Sequence, residues 1–254
     1  VGGNLGGSFG PLLMALLVAP YGRHNIAYFA IVAFVAILVM IPVCRWYKAY
    51  LRRVKWRPAN AVRHAPMPLP HGRTFFAIAI LLTLIFSKYI YMASLSSYYT
   101  FYLMHKFGVS VQQSQIFLFV FLLATAAGTL MGGPIGDRIG RKYVIWMSIL
   151  GTAPFSILMP HVSLAWTVVL SFCVGFMLSS AFPAILLYAQ ELLPNKLGLI
   201  SGLFFGFAFG IAGIASAVLG DMADHYGIEA VYNICAYMPL LGLVTWFLPD
   251  LKKV

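Results

Sequence analysis

The chain has 254 residues, of which 61% are hydrophobic and only 9% charged. A mean hydropathy of +0.89 excludes a water-soluble globule and points to an all-α membrane protein, the class in which apolar runs satisfy their own backbone within lipid. The net charge of +11 could suit nucleic acid, but the basic residues stand in short loops between apolar runs, so a lipid bilayer and no nucleic acid is the expected partner.

At about 20 apolar residues per crossing, the length leaves room for about eight spanning helices. The first is predicted over residues 1–19, closed by Pro20-Tyr21-Gly22. Gly3, Gly7 and Gly10 recur four and three apart along it, a smooth stripe for close helix contact. Because the chain starts at Val1, already in helix-packing sequence and without an initiator Met, it is expected to be a fragment lacking an upstream part.

The second helix is predicted over residues 26–44. Residues 45–73 then carry eight Arg or Lys and no acid. Their first part places Tyr47, Tyr50, Leu51 and Val54 on one face, as for an amphipathic helix on an anionic leaflet. The remainder, with Pro58, Pro66, Pro68 and Pro70, suits an extended tether. A domain boundary is placed here: 1–45 as two helices of a first half, 46–73 as a linker, and 74–254 as a complete second half.

Six more helices are predicted over residues 75–104, 114–133, 143–159, 166–188, 199–220 and 231–248. Ser110-Val111-Gln112-Gln113 forms a capping box ahead of the second of these. Fourteen Arg or Lys fall in the segments 45–73, 137–142, 191–198 and the tail, against Arg23 and Lys106 in the opposite loops. The basic side, linker and C-terminus included, is therefore expected to be cytoplasmic. Trp46, Trp146, Trp166 and Trp246 stand at helix ends, as an interfacial belt requires.

The first helix pair repeats in the last pair. Gly206, Gly210 and Gly213 match Gly3, Gly7 and Gly10 at one offset, and Tyr226-Gly227 matches Tyr21-Gly22. Both copies run the same way through the membrane, so each half has six helices and four are expected upstream.

Lys88 is the one charge well inside a predicted helix. An ammonium at that depth costs roughly 2.5–3.5 kcal/mol and faces a polar cavity or a partner. On a helical wheel Tyr91, Tyr98, Tyr99 and Tyr102 share its broad face, with Ser87 and Ser94 at the edge. A cation ringed by tyrosine hydroxyls suits an anionic substrate; the alternative is pairing with a carboxylate upstream. Cys44, Cys173 and Cys235 lie in apolar runs as packed free thiols, and the six histidines make no ligand spacing. No metal, cofactor or catalytic constellation is expected, and an enzyme or sensor has no support in these residues.

Residues 133–142 read Gly-Pro-Ile-Gly-Asp-Arg-Ile-Gly-Arg-Lys, predicted as a tight loop in which Gly133 and Gly136 let the backbone approach a neighbouring helix. The pattern Gly133, Asp137, Arg138, Gly140, Arg141, Lys142 resembles the loop signature of the major facilitator superfamily. That resemblance implies a twelve-helix fold, of which this chain holds the last eight. It also implies a cytoplasmic latch of Asp137, Arg141 and Glu191, with Asp137 resting near Gly198 and Gly202. Gly10-Pro11 is similar to the fifth-helix motif of the superfamily's drug/proton antiporters, although plain small-residue packing accounts for it equally. The stretches 86–102, 137–146, 188–194 and 201–210 resemble a family of bacterial inner-membrane antibiotic-efflux transporters. What this implies is a monomer exporting a small anionic, phosphonate-type drug by alternating access in exchange for protons, with the proton-carrying carboxylate upstream. An organic-anion uptake symporter would share every one of these features.

Overall fold

A computed structural model describes residues 2–20, 29–53 and 71–249. The Tyr21-Gly22 turn, the proline-rich stretch within 54–70 and the tail from residue 250 lie outside these. In chain order the α-helices are α1 (Gly2–Leu13), α2 (Phe29–Arg53), α3 (His71–Phe107), α4 (Val111–Ile139), α5 (Arg141–Ile149), α6 (Ala153–Leu158), α7 (Leu164–Leu192), α8 (Leu197–Tyr226) and α9 (Ile228–Cys235). Among the described residues no strand occurs, and seven helical spans are long and apolar enough to cross a membrane. The shorter apolar rod Gly2–Val18 stands at the position of the first predicted helix.

The centre of the bundle is the pair α4 and α7, which lie close because both offer small residues at the contact. A Cβ at Gly128 would collide with the Phe176 carbonyl, and one at Gly132 would stand 2.6 Å from the Ser180 carbonyl oxygen. Gly175 of α7 answers from the other side, 2.9 Å from the Phe121 carbonyl oxygen. In lipid such close backbone packing replaces the hydrophobic drive that holds soluble bundles together. Around this pair, α3 packs on α4, α8 and α9, and α1 docks on α4 through Asn4 Nδ2, which donates to Thr129 Oγ1 at 3.0 Å.

Two of the prolines, Pro154 and Pro239, stand where a span changes from α-helix to 3₁₀, whereas Pro11, Pro42, Pro134 and Pro183 lie inside continuous helices. The span predicted as one helix over 143–159 is α5 and α6 joined by the 3₁₀ turn Leu150–Thr152, because Pro154 has no N–H and its ring meets the carbonyl four residues back. The last span likewise changes at Pro239 from α9 to the 3₁₀ run Met238–Phe247. Gly242 in that run fits against α5, its Cβ position 2.9 Å from Ile149 Cγ2. Ser110 caps α4 through both arms of a capping box with Gln113.

Two expectations about loops change. Residues 133–139 form the last two turns of α4, so the predicted loop shrinks to Gly140, whose φ of 111° only glycine adopts without strain. Gly133 meets no neighbour, and Gly136 is only just within van der Waals reach of Val144; the close approach falls at Gly128 and Gly132 instead. Second, α2 runs unbroken through Arg53, so residues 45–53 prolong one rod and form no separate surface helix. Trp46 and Tyr50 stack on its side at 5.5 Å, and all its described side chains are exposed.

Candidate functional site

The chemistry begins at Lys88. At about 1.5 Å per residue it lies about 26 Å from the start of α3 and about 28 Å from its end. Its side chain is 4% exposed. A long amphipathic side chain would reach an interface if it could; at this depth it cannot. Its Nζ stands instead 5.3 Å from the centroid of the Tyr89 ring and 5.2 Å from that of Phe182. Both lie within the ~6 Å at which a ring face attracts a cation. The two rings meet edge to face at 5.7 Å, so α7 supplies half of the cradle. Among the described residues no acid forms an ion pair with Lys88.

The tyrosines predicted to surround Lys88 are drawn elsewhere. Tyr98 donates to the Ser216 carbonyl of α8 at 2.6 Å and lies over Gly220, where a Cβ would come within 2.5 Å of its hydroxyl oxygen. Tyr99 donates to Ser171 Oγ of α7 at 3.0 Å. Tyr102 stacks on Tyr232 of α9 at 4.0 Å and accepts from Lys106 at 3.2 Å. Tyr91 is buried, and its hydroxyl makes no well-formed hydrogen bond; the neighbouring Ser156 directs its own proton to the carbonyls of Ala153 and Ala236. Ser87 and Ser94 are bound to backbone carbonyls, of Met238 and Tyr91. A helical wheel gives direction from the axis but not the partner helix. The hydroxyls of Ser87, Tyr98 and Tyr99 take acceptors on other elements of the bundle, because an unpaired hydroxyl in an apolar surrounding is costly.

Tyr89 and Phe182 were absent from the sequence-based site. Tyr89 adjoins Lys88 in the chain, which was the available signal. Phe182 stands before Pro183 on a different helix, and nothing local assigns it to Lys88.

At one end of the bundle three charges converge. Gly140 turns the chain so sharply that Asp137, in the last turn of α4, lies 4.0 Å from Arg141 at the start of α5. Arg141 Nη1 is 2.5 Å from Glu191 Oε1 in the last turn of α7. Each of the three stands at the helix end whose dipole disfavours it: two acids at C-termini and a cation at an N-terminus. Their mutual attraction offsets that cost. Arg141 is largely covered and Asp137 open to solvent, so the Arg141–Glu191 contact is the stronger of the two. Asp137 has its ion pair with Arg141, and Gly198 and Gly202 have open space around them. Arg138 is exposed, while Lys142 donates to the Leu248 carbonyl and Tyr188 to that of Pro249, fastening residues 248 and 249 to α5 and α7.

The glycines Gly3, Gly7 and Gly10 on α1 and Gly206, Gly210 and Gly213 on α8 are exposed, and a Cβ at each would meet open space among the described residues. Cys44 is likewise exposed, whereas Cys235 is buried as expected of a packed thiol.

The profile of the Major Facilitator Superfamily matches residues 77–254. The fosmidomycin resistance protein of Escherichia coli K12 is 59% identical over 98% of this chain, which covers 61% of that relative. An uncharacterized MFS-type transporter of Bacillus subtilis, YfnC, is 35% identical over the whole chain and 62% of its own length. A gallate transporter of Pseudomonas putida is 29% identical over 51% of this chain and 30% of its own length. The chain thus spans about three fifths of the first two relatives. No solved structure matches it significantly.

Proposed function

The chain belongs to the major facilitator superfamily, and from that premise we propose that it is the larger part of an efflux transporter for a small anionic antibiotic of the phosphonate type. The observation that carries this is Lys88: an ammonium buried at mid-helix, cradled by two ring faces, with no described acid to neutralise it. A charge left in that condition is ready to accept an anion, because the rings hold the cation without consuming its hydrogen-bond donors. The likeness to a fosmidomycin resistance protein supports a phosphonate as that anion.

In this reading Lys88 binds the phosphonate near the middle of the bilayer, and the protein exposes that site alternately to the two sides. Asp137, Arg141 and Glu191 close the basic side, with Gly140 as the turn that brings α4 and α5 together. Release of the anion outward is coupled to protons entering through a carboxylate elsewhere in the protein. The protein resides in the bacterial inner membrane, works as a monomer, and keeps the 45–73 segment and its C-terminus in the cytoplasm. Uptake of an organic anion is the second reading, favoured by the likeness to a gallate transporter.

Cells expressing the gene, challenged with fosmidomycin, separate the two. Raised tolerance with lowered internal drug supports export. Raised susceptibility with greater accumulation shows uptake, and no change in either refutes a phosphonate substrate.

A further inference from the structure

The rings beside Lys88 do not end at Phe182. Phe182 meets Phe205 of α8 edge to face, with centroids 5.1 Å apart. Phe205 in turn lies 6.3 Å from Phe209 with their planes nearly parallel. The series Tyr89, Phe182, Phe205, Phe209 therefore crosses from α3 over α7 to α8, with the ammonium at its first end. Exposure grows along it: Tyr89 and Phe182 are partly covered, Phe205 is 41% exposed and Phe209 67%. Beyond these ring–ring contacts, Phe205 and Phe209 remain exposed among the described residues.

Lipid contact alone does not account for this arrangement. A lipid-facing phenylalanine needs only area, whereas these rings keep the centroid spacings of specific aromatic pairs and continue inward to a buried cation. A positive point followed at once by edge and face positions for rings has a definite complement. That complement is an anionic headgroup joined by a short spacer to an aryl group.

We propose that Phe205, with Phe209 behind it, forms a second subsite that selects aryl-bearing anions, the phosphonate or carboxylate resting on Lys88 and the aryl ring packing on Phe205. This rests on the reading of Lys88 as the anion site. The spacing from Nζ to the Phe182 centroid and that from Phe182 to the Phe205 centroid, laid end to end, put at most roughly 10 Å between the two anchors; a benzyl-type anion, roughly 4 Å from phosphorus to ring centroid, bridges such a gap once a charged contact of roughly 3–4 Å at the ammonium and a ring contact of roughly 5 Å at Phe205 are added. Phe205 is thereby a specificity-determining residue: it discriminates among anions and leaves binding of the bare headgroup to Lys88.

Everted membrane vesicles carrying the intact protein test this with two probes, methylphosphonate and benzylphosphonate. Phe205→Ala should lower benzylphosphonate uptake about fivefold to tenfold, the strength of one aromatic pair, and leave methylphosphonate uptake within about twofold. Phe205→Leu keeps apolar bulk without a ring and guards against misfolding. It should reach the membrane at the parent level and still favour methylphosphonate over benzylphosphonate relative to the parent. Equal loss of both probes in Phe205→Leu would make Phe205 a packing residue and overturn the subsite, as would no loss of either in Phe205→Ala. If the parent moves both probes in these latter cases, the anion site stands without the subsite. A parent that moves neither refutes the transport reading and the subsite with it.

Discussion

Replacing Lys88 by Met separates a binding residue from a structural one. An ammonium at helix mid-depth costs roughly 2.5–3.5 kcal/mol on insertion scales. Each ring over the cation returns between about 0.5 and 2 kcal/mol, and both rings stand close, at 5.3 and 5.2 Å. Cost and return nearly cancel, so Lys88→Met, which keeps length and apolar stem, should alter stability by no more than about 1–2 kcal/mol. For a protein of this size that is a shift of several degrees at most. Transport should respond very differently. The anion loses a charged hydrogen-bond donor, worth about 1.5–3 kcal/mol, so half-saturation in everted vesicles should rise at least about tenfold. The assay pairs fosmidomycin uptake with thermal unfolding of the purified protein in detergent. Lys88→Arg should retain part of the transport with altered preference among anions, since charge remains while donor geometry changes. A collapse of thermal stability in Lys88→Met would refute the cancellation and mark Lys88 as a tie between helices. Unchanged uptake with unchanged stability would refute the anion site.

Three further outcomes are expected. Arg141→Gln and Glu191→Gln should impair transport to similar degrees, and the double variant should add little, because the two groups lie 2.5 Å apart and act as one unit; full additivity in the double-mutant cycle would show that they act separately. Gly132→Ala should destabilise the bundle by about 1–3 kcal/mol, since a Cβ there stands 2.6 Å from the Ser180 carbonyl oxygen and the backbone must give way; an unchanged melting temperature would contradict the α4–α7 packing. Single cysteines placed within 45–73 should resist an impermeant maleimide in intact cells while one beside Asp224 reacts, and labelling of the 45–73 segment from outside would reverse the orientation.

Much of the fold was legible in the chain because lipid imposes a simple rule. Every spanning backbone must satisfy its own hydrogen bonds, so apolar runs of sufficient length become helices. Hydropathy therefore located the spans, the Gln113 capping box marked the start of α4, and the 133–142 pattern carried the family. The mid-helix position of Lys88 and the charges of Asp137, Arg141 and Glu191 were equally visible, since each is a polar exception against an apolar background. What hydropathy averages away is a local irregularity. The 3₁₀ turns at Leu150–Thr152 and Met238–Phe247 depend on single prolines and on the neighbour that accepts the bend, as α5 accepts Gly242.

Only the tertiary structure decided which glycines and aromatic residues keep company across helices. Glycine repeats at Gly3, Gly7 and Gly10 and at Gly206, Gly210 and Gly213 stand out in the sequence, yet the tight backbone contact falls at Gly128, Gly132 and Gly175. The tyrosines on the face of Lys88 turn to Ser171, Ser216 and Tyr232, while the rings that hold its ammonium are Tyr89 and Phe182. Periodicity along one helix fixes the direction in which a side chain leaves the axis. The partner it meets depends on the tilt and register of another helix, and those are set by where glycine and serine backbones on α4 and α7 can touch.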